Sequence, residues 1–198
     1  MKKILNKINL PAKFILLGLF ALALFIFPTS LFIKSGNQMI DAKEVELSGI
    51  PVEKQMLSLL NQIQRHRAES AIAIALNKPD NAPRLALVDS IAVLQNVIRD
   101  ELRKNDAQAQ PLVRLDKVSR EWQSLQDDIN NRSLSLEESL NRHASLIQNL
   151  LMANQDVLDF YGLTLDNDLN TYQLIVSIFN RLPLLTETLG RSGRTALH

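Results

Sequence analysis

The stretch SLEESLNRHASLIQNLLMANQDVLDFYG, from Ser135 to Gly162, decides the fold class of the chain. It opens on a capping box, in which the Ser135 hydroxyl accepts a backbone N–H and Glu138 reaches back. Gly162 stands in the favoured position after a helix. The pattern therefore predicts an amphipathic helix. Its inner face repeats at steps of three and four residues: Leu136, Leu140, His143, Ile147, Leu150, Asn154, Val157 and Tyr161.

The same spacing predicts three earlier helices, of which the first begins at Pro51, a residue suited to a first helical turn. That helix ends near Leu76, and a turn with two prolines, residues 77–83, follows it. The three predicted inner faces are Val52, Met56, Leu60, Ile63, Arg67, Ser70 and Ile74; Leu85, Val88, Ala92, Gln95, Ile98 and Leu102; and Leu112, Leu115, Val118, Trp122, Leu125 and Ile129.

A fifth helix is predicted near the end of the sequence, capped by Asp168 and kinked or ended by Pro183. No stretch alternates as a strand does, and the linkers are short. The sequence therefore predicts an all-α fold, with one N-terminal transmembrane helix followed by an elongated antiparallel helical bundle. The fifth face is Tyr172, Ile175, Phe179, Leu182, Leu185 and Leu189.

An apolar segment near the N-terminus, Phe14 to Ile33, is long enough to span a bilayer core of about 30 Å at roughly 1.5 Å per residue. Four lysines precede it, so the positive-inside rule predicts a cytoplasmic N-terminus and a periplasmic bulk. We expect a single-pass protein of a bacterial inner membrane. A cleaved signal peptide is the alternative, since it also combines a basic start with an apolar core.

These features divide the chain into five parts. They are a cytoplasmic basic N-terminus (1–13), a transmembrane helix (14–33), a linker or helix extension (34–50), a periplasmic helical-bundle sensor domain (51–190) and a short tail (191–198).

Charge is distributed unevenly along the chain. Five of its 22 basic residues and none of its 21 acidic residues precede Asp41, so the remainder is net acidic. Nucleic-acid binding needs a concentrated positive face, which argues against such a partner. The sequence contains no cysteine and hence no disulfide framework.

Signatures of catalysis and of metal binding are missing from the sequence. The three histidines, His66, His143 and His198, occur without an H-E-x-x-H or E-x-x-H motif, and no P-loop is present. The segment Asp166–Asn170 resembles the start of an EF-hand loop, but Thr171 replaces the glycine and Ser177 the final glutamate. We therefore expect no enzyme, no metal and no cofactor, and we interpret this segment as a helix cap.

Four residues are candidates for holding a small anionic ligand or metabolite. Arg67 falls on the face of the first predicted bundle helix and Arg181 adjoins Leu182 on the last, so each guanidinium could reach the interior or edge of the bundle. His66 and Tyr172 are weaker candidates beside them. The alternative is that the arginines are surface residues whose aliphatic stems cover apolar neighbours.

Several segments in order resemble a known family: LSGIPVEKQMLSLLNQIQRHRAESA (47–71), VSREWQSL (118–125), HASLIQNLLMANQDVLDFYGLTLDNDLNTYQLI (143–175) and RLPLLTETLGR (181–191). Together with a basic start and one membrane span, they are similar to the N-terminal sensory region of bacterial methyl-accepting chemotaxis proteins and related membrane sensor transducers. The family usually has glycine after the histidine and arginine, where this chain has Ala68.

The resemblance implies a periplasmic ligand-sensing domain that forms a homodimer. In the family a second membrane span, a HAMP linker and a cytoplasmic signalling region follow, so we expect this chain to be the front fragment of such a transducer. The alternative function is a membrane-anchored structural or assembly protein, which acts by helix–helix association and binds no small molecule.

Overall fold

The computed structural model describes residues 9–78, 80–105, 110–164, 173–174, 176–182, 184–185 and 187–188. Those residues are helical apart from short connections, and the fold is an all-α helical bundle with one long apolar N-terminal helix. Its helices are α1 (Leu10–Ala75), α2 (Ala82–Lys104), α3 (Gln110–Asn130), α4 (Leu136–Phe160) and a π-helical turn (Ser177–Arg181).

The first of two compact units comprises residues 1–44. Every side chain from Phe14 to Ile33 is exposed. By length and composition this part of α1 is a candidate membrane span, with a mean hydropathy of 2.4 over an 18-residue window. A helix that is apolar all round needs an apolar environment, which suits a bilayer or a signal sequence.

Hydroxyl groups in the apolar segment are satisfied within the helix. Thr29 Oγ1 donates to the carbonyl of Phe25 at 2.7 Å, and Ser30 Oγ donates to that of Phe27 at 2.8 Å. Such bonds remove the cost of placing a free hydroxyl in hydrocarbon.

Residues 34–50 continue α1, so this segment is the helix extension rather than the linker, and the predicted helix start at Pro51 is wrong. Pro51 lies inside the helix, where its missing N–H leaves the carbonyl of Leu47 without its usual donor. Gly49 lowers helix stability further, by about 1 kcal/mol relative to alanine. This turn of α1 is kept helical by its packing, because its own residues favour a break.

The second unit begins at Val45 and contains the bundle. Arg84 near the start of α2 bonds Asn130 at the end of α3, whereas Arg99 near the end of α2 bonds Asp116 near the start of α3. These pairs show that α2 and α3 run antiparallel.

Helices α1 and α4 are also antiparallel. Gly49 lies against Tyr161, and the His66 ring bonds that of His143. Each helix therefore places its buried face against the others, as short linkers predict.

The inner faces of α3 and α4 are largely as predicted. Trp122, His143 and Asn154 are buried, and Leu136 is the one residue of these two predicted faces that is exposed. The face predicted for α2 is wrong in its first half, where Leu85 is exposed. The chain instead buries Arg84, Leu87 and Ile91 before Gln95, Ile98 and Leu102. Hydropathy favoured Leu85, but Arg84 is buried because it finds partners on α3.

Helix ends follow the expected chemistry. The capping box at Ser135 and Glu138 is present, and Gly162 adopts a φ of 69°. The N–H groups of Gly162 and Leu163 bond the carbonyls of Asp159 and Leu158, which is a Schellman motif.

The C-terminal segment, defined as the described residues between Gln173 and Thr188, is helical and includes the π-helical turn. Phe179 is buried and its carbonyl accepts from Asn154 Nδ2 at 2.9 Å. Leu182 and Leu185 are exposed, which corrects the prediction that they face inward. Tyr172, Ile175 and Leu189 of that predicted face, with Asp168 and Pro183, lie outside the described residues.

Candidate functional site

A chain of hydrogen-bonded polar residues crosses the interior of the bundle and links all four helices. Arg84 Nη1 donates to Gln126 Oε1 at 3.0 Å, and Gln126 Nε2 lies 3.1 Å from His66 Nε2. His66 Nδ1 lies 3.0 Å from His143 Nε2, and His143 Nδ1 donates to the Ser139 carbonyl at 2.7 Å. We call these five residues the polar chain, and all of them are buried.

The polar chain has one consistent direction. Arginine can only donate, so the Gln126 oxygen is an acceptor and its amide nitrogen donates to His66 Nε2. His66 then carries its proton on Nδ1 and donates it to His143 Nε2. His143 in turn carries its proton on Nδ1, the atom that faces the Ser139 carbonyl. Every bond is satisfied only when both imidazoles are neutral.

The surroundings of the two rings favour that neutral state. Burial, the neighbouring His143 and the Arg84 charge lower the pKa of His66 to about 3. Burial is also the main cause that lowers the pKa of His143 to about 4, aided by Arg67, Arg142 and Arg84. Both histidines are therefore uncharged at neutral pH.

The same electrostatics disfavour a cation at the polar chain. Three guanidinium groups act on His143, and a metal ion would meet their charge. Among the residues that the structure describes, no cluster of three or more His, Cys, Asp or Glu could hold a metal. The histidine pair is thus arranged for hydrogen bonding.

Trp122 and Ser70 complete the environment of His66. The indole meets the imidazole edge-on, with ring centroids 4.7 Å apart. The Ser70 hydroxyl lies 3.2 Å from His66 Nδ1. The ring is held by contacts from its own helix, from α3 and from α4.

Arg67 follows His66 on α1 and contacts the C-terminal segment. Its Nη1 donates to both carboxylate oxygens of Glu187, at 2.9 and 3.1 Å. The Arg67 side chain is 12% exposed and that of Glu187 5% exposed. A guanidinium in such surroundings requires an anionic partner, and here the protein supplies its own.

The structure brings two of the four predicted ligand residues together and leaves the others apart. His66 is in the polar chain and Arg67 is beside it, but Arg181 is exposed on the π-helical turn. Tyr172 lies outside the described residues.

Sequence reasoning missed Arg84, Gln126 and Glu187 as members of this region. Arg84 is next to Leu85, a residue of the face predicted for α2, but its charge argued against a place in the interior. Gln126 and Glu187 carry no pattern that separates them from surface residues. His143 was on the predicted α4 face, but its pairing with His66 across 77 residues is visible only in the fold.

An apolar groove of about 270 Å³ lies between α4 and the C-terminal segment. Phe179 and Asn154 form part of its wall, so it adjoins the segment that Arg67 holds. Its lining residues are Gln148, Leu151, Met152, Asn154, Gln155, Phe179 and Leu184.

Comparison with known proteins adds nothing to this geometry: no protein-family model, curated protein or solved structure matches the chain.

Proposed function

We propose that this chain is the membrane-anchored, periplasmic ligand-sensing region of a chemoreceptor-like signal transducer. The ordered resemblance of its segments to chemoreceptor input regions supports this. The candidate membrane span and part of the bundle also belong to one helix, α1. A change in the position of α1 within the bundle would therefore occur in the element that carries the span.

The observation that carries the proposal is the nearly buried Arg67–Glu187 pair beside the polar chain. A bundle that serves only as a scaffold would be as stable, or more stable, with apolar residues at these positions. Polar burial of this kind suits a protein that changes between two helix arrangements of similar free energy. The C-terminal segment, which Arg67 Nη1 links to α1 through both carboxylate oxygens of Glu187, is the element that such a change would move.

The ligand class follows from Arg67. A guanidinium that binds the Glu187 carboxylate with one nitrogen is suited to a small anionic metabolite, above all a carboxylate. Such a ligand would replace Glu187 and release the C-terminal segment from α1. Arg67 and His66 would then border the ligand, and Arg181 would take no part.

The topology proposed with this function has the N-terminus in the cytoplasm. The lysines before Phe14 support it through the positive-inside rule. The bundle would lie in the periplasm of a bacterium, and the functional unit would be a homodimer, as in the family that the sequence resembles.

The test is a thermal-stability screen of the full chain in lipid nanodiscs against a panel of small carboxylates and other metabolites. A ligand that binds only the folded state raises the midpoint temperature with concentration. Arg67→Gln should abolish that response, whereas Arg181→Gln should preserve it. A response that survives Arg67→Gln contradicts the assigned site.

A second candidate function is membrane-anchored assembly through helix association. The observation in its favour is a set of exposed apolar residues on the C-terminal segment: Leu174, Ile178, Leu182, Leu184 and Leu185. An unresponsive panel together with tight self-association, lost on replacing Leu182 and Leu185 by glutamine, would favour assembly over sensing.

A further inference from the structure

Glu53 is a buried carboxyl group on the inner face of α1 that has no hydrogen-bond partner among the described residues. Its side chain is 0% exposed. Neither Oε1 nor Oε2 meets a donor among the described residues. A buried polar group left unpaired costs about 1–3 kcal/mol even when neutral, and a charged one costs several times more.

Close packing holds this part of α1 in place. A Cβ atom added to Gly49, one turn before Glu53, would lie 2.5 Å from Cγ and 2.6 Å from Cβ of Tyr161. Tyr161 is itself buried, and its hydroxyl accepts from Asn105 Nδ2 at 3.1 Å. The Tyr161 side chain therefore packs against α1, and its hydroxyl is bonded by Asn105, the residue that caps the C-terminus of α2.

Among the described residues, the basic groups at this end of the bundle are paired with carboxylates or exposed, and Arg103 on α2 is one of the exposed ones. On α2, Lys104 is paired with Glu101. On α3, Arg114 is paired with Asp156 of α4, and Lys54 on α1 itself is exposed. Tyr161 feels both Glu53 and Glu101, and burial raises the pKa of its phenol. Burial is the one cause that shifts the pKa of Glu53, so no basic group of the described residues stabilises its carboxylate.

We propose that Glu53 is a proton-operated switch: it stays protonated while Tyr161 packs on Gly49, and its ionisation moves α1 away from α4 at this point. The carboxylic acid releases one proton to water and becomes a carboxylate. The carboxylate cannot stay where it is, since its two oxygens have no donors. Hydration of the carboxylate requires the helix turn around Gly49 and Pro51 to open.

Two features of the structure make the switch effective. Burial raises the pKa of Glu53 to about 8, so the ratio of ionised to neutral carboxyl changes about tenfold per pH unit just above neutrality. The opening would also occur in α1, the helix that contains the candidate membrane span. This response to pH does not depend on Arg67 or on any small-molecule ligand.

The experiment uses the full chain in lipid nanodiscs with a pair of spin labels. Because the sequence has no cysteine, Ser48→Cys and Arg103→Cys provide two unique exposed sites, one on α1 and one on α2. We expect the distance distribution between the labels to change with pH as a single-proton transition near pH 8, and to return when the pH is lowered. Glu53→Gln should abolish the transition.

Glu44→Gln is the matched control, because Glu44 is an exposed glutamate on the same helix; it should leave the transition unchanged. A transition that persists in Glu53→Gln overturns the proposal. If Glu53→Gln does not fold, infrared spectra of the unsubstituted chain with labelled glutamate decide instead. A protonated-carboxyl band that disappears together with the label movement supports the switch, and absence of that band at neutral pH refutes it.

Discussion

His66 Nδ1 lies 3.0 Å from Nε2 of His143, and neither residue is exposed. Replacing His143 by phenylalanine keeps an aromatic ring but removes the Nε2 acceptor of His66 and the donor to the Ser139 carbonyl, while Ser70 Oγ stays 3.2 Å from His66 Nδ1. We expect the free energy of unfolding to fall by about 1–3 kcal/mol through the loss of these buried hydrogen bonds. Denaturant unfolding of the full chain in detergent micelles measures it.

Gln148→Leu is the control for this change, since Gln148 is exposed on the same helix and should alter stability by no more than about 0.5 kcal/mol. Nitrogen NMR provides a second check, because both rings should be protonated at Nδ1 in the unsubstituted chain. Detection of the other tautomer at either ring contradicts the assigned direction.

The two histidines make the bundle sensitive to acid. The unfolded chain takes up their protons near pH 6.5, whereas the folded chain does so only near pH 3 for His66 and pH 4 for His143. At these two histidines the unfolded state therefore binds more protons in this interval, so their contribution to stability is complete above about pH 6.5 and is lost as the pH decreases towards 3.

The measurement is an NMR titration of the ring C–H signals with denaturant unfolding at the same pH values. At about pH 5 both rings should remain neutral in the folded chain, although free histidine is mostly charged there. Titration of either buried ring near pH 6.5 would contradict this prediction.

The contact between Arg67 and Glu187 should determine whether the C-terminal segment stays on α1. Glu187→Gln removes the anion and leaves a nearly buried guanidinium with a neutral partner. We expect a loss of about 1–3 kcal/mol in the local opening free energy of the segment. Hydrogen exchange of the amides around Phe179 reports it.

Arg181→Gln should leave exchange in the same segment unchanged, because Arg181 is exposed. Equal protection in Glu187→Gln and in the unsubstituted chain would show that the segment is held by apolar contacts alone.

Gly49 and Gly36 form an internal comparison on one helix. Gly49→Ala places a new Cβ against Tyr161. The atoms that it meets, Cγ and Cβ of Tyr161, are close to the Tyr161 backbone and cannot move aside. We expect a loss of about 1–3 kcal/mol from overpacking, in spite of the better helix propensity of alanine. Gly36→Ala meets nothing within 4 Å and should be neutral or stabilising by up to about 1 kcal/mol. Thermal unfolding distinguishes the two, and equal effects would be the contrary result.

The faces that sequence predicted well are those on which apolar side chains alone decide burial. Trp122, Ile147 and Val157 lie where the three- and four-residue steps place them, since hydrophobic burial has a period that the sequence displays. The capping box at Ser135 and the glycine at 162 were equally visible, because their chemistry is local.

The features that sequence did not reveal depend on residues far apart in the chain. Pro51 was interpreted as the start of a helix because of its intrinsic preference, but the helix continues through it, where Gly49 packs against Tyr161. Hydropathy places Arg84 and Glu53 at the surface, but both are buried. Arg84 has hydrogen-bond partners in the interior, whereas Glu53 has none among the described residues. Of the residues predicted to bind a ligand, Arg67 and His66 are neighbours on α1 and Arg181 is exposed; the ligand site itself stays a prediction.

The direction of the polar chain constrains how this protein can evolve. The hydrogen bonds of the polar chain all run in one direction. They start at Arg84, which can only donate, and end at the Ser139 carbonyl, which can only accept. Substituting one member by a residue of opposite capacity leaves two donors or two acceptors facing each other. Descendants can therefore reverse the chain only by changing several of its members together, so these sites on different helices should covary.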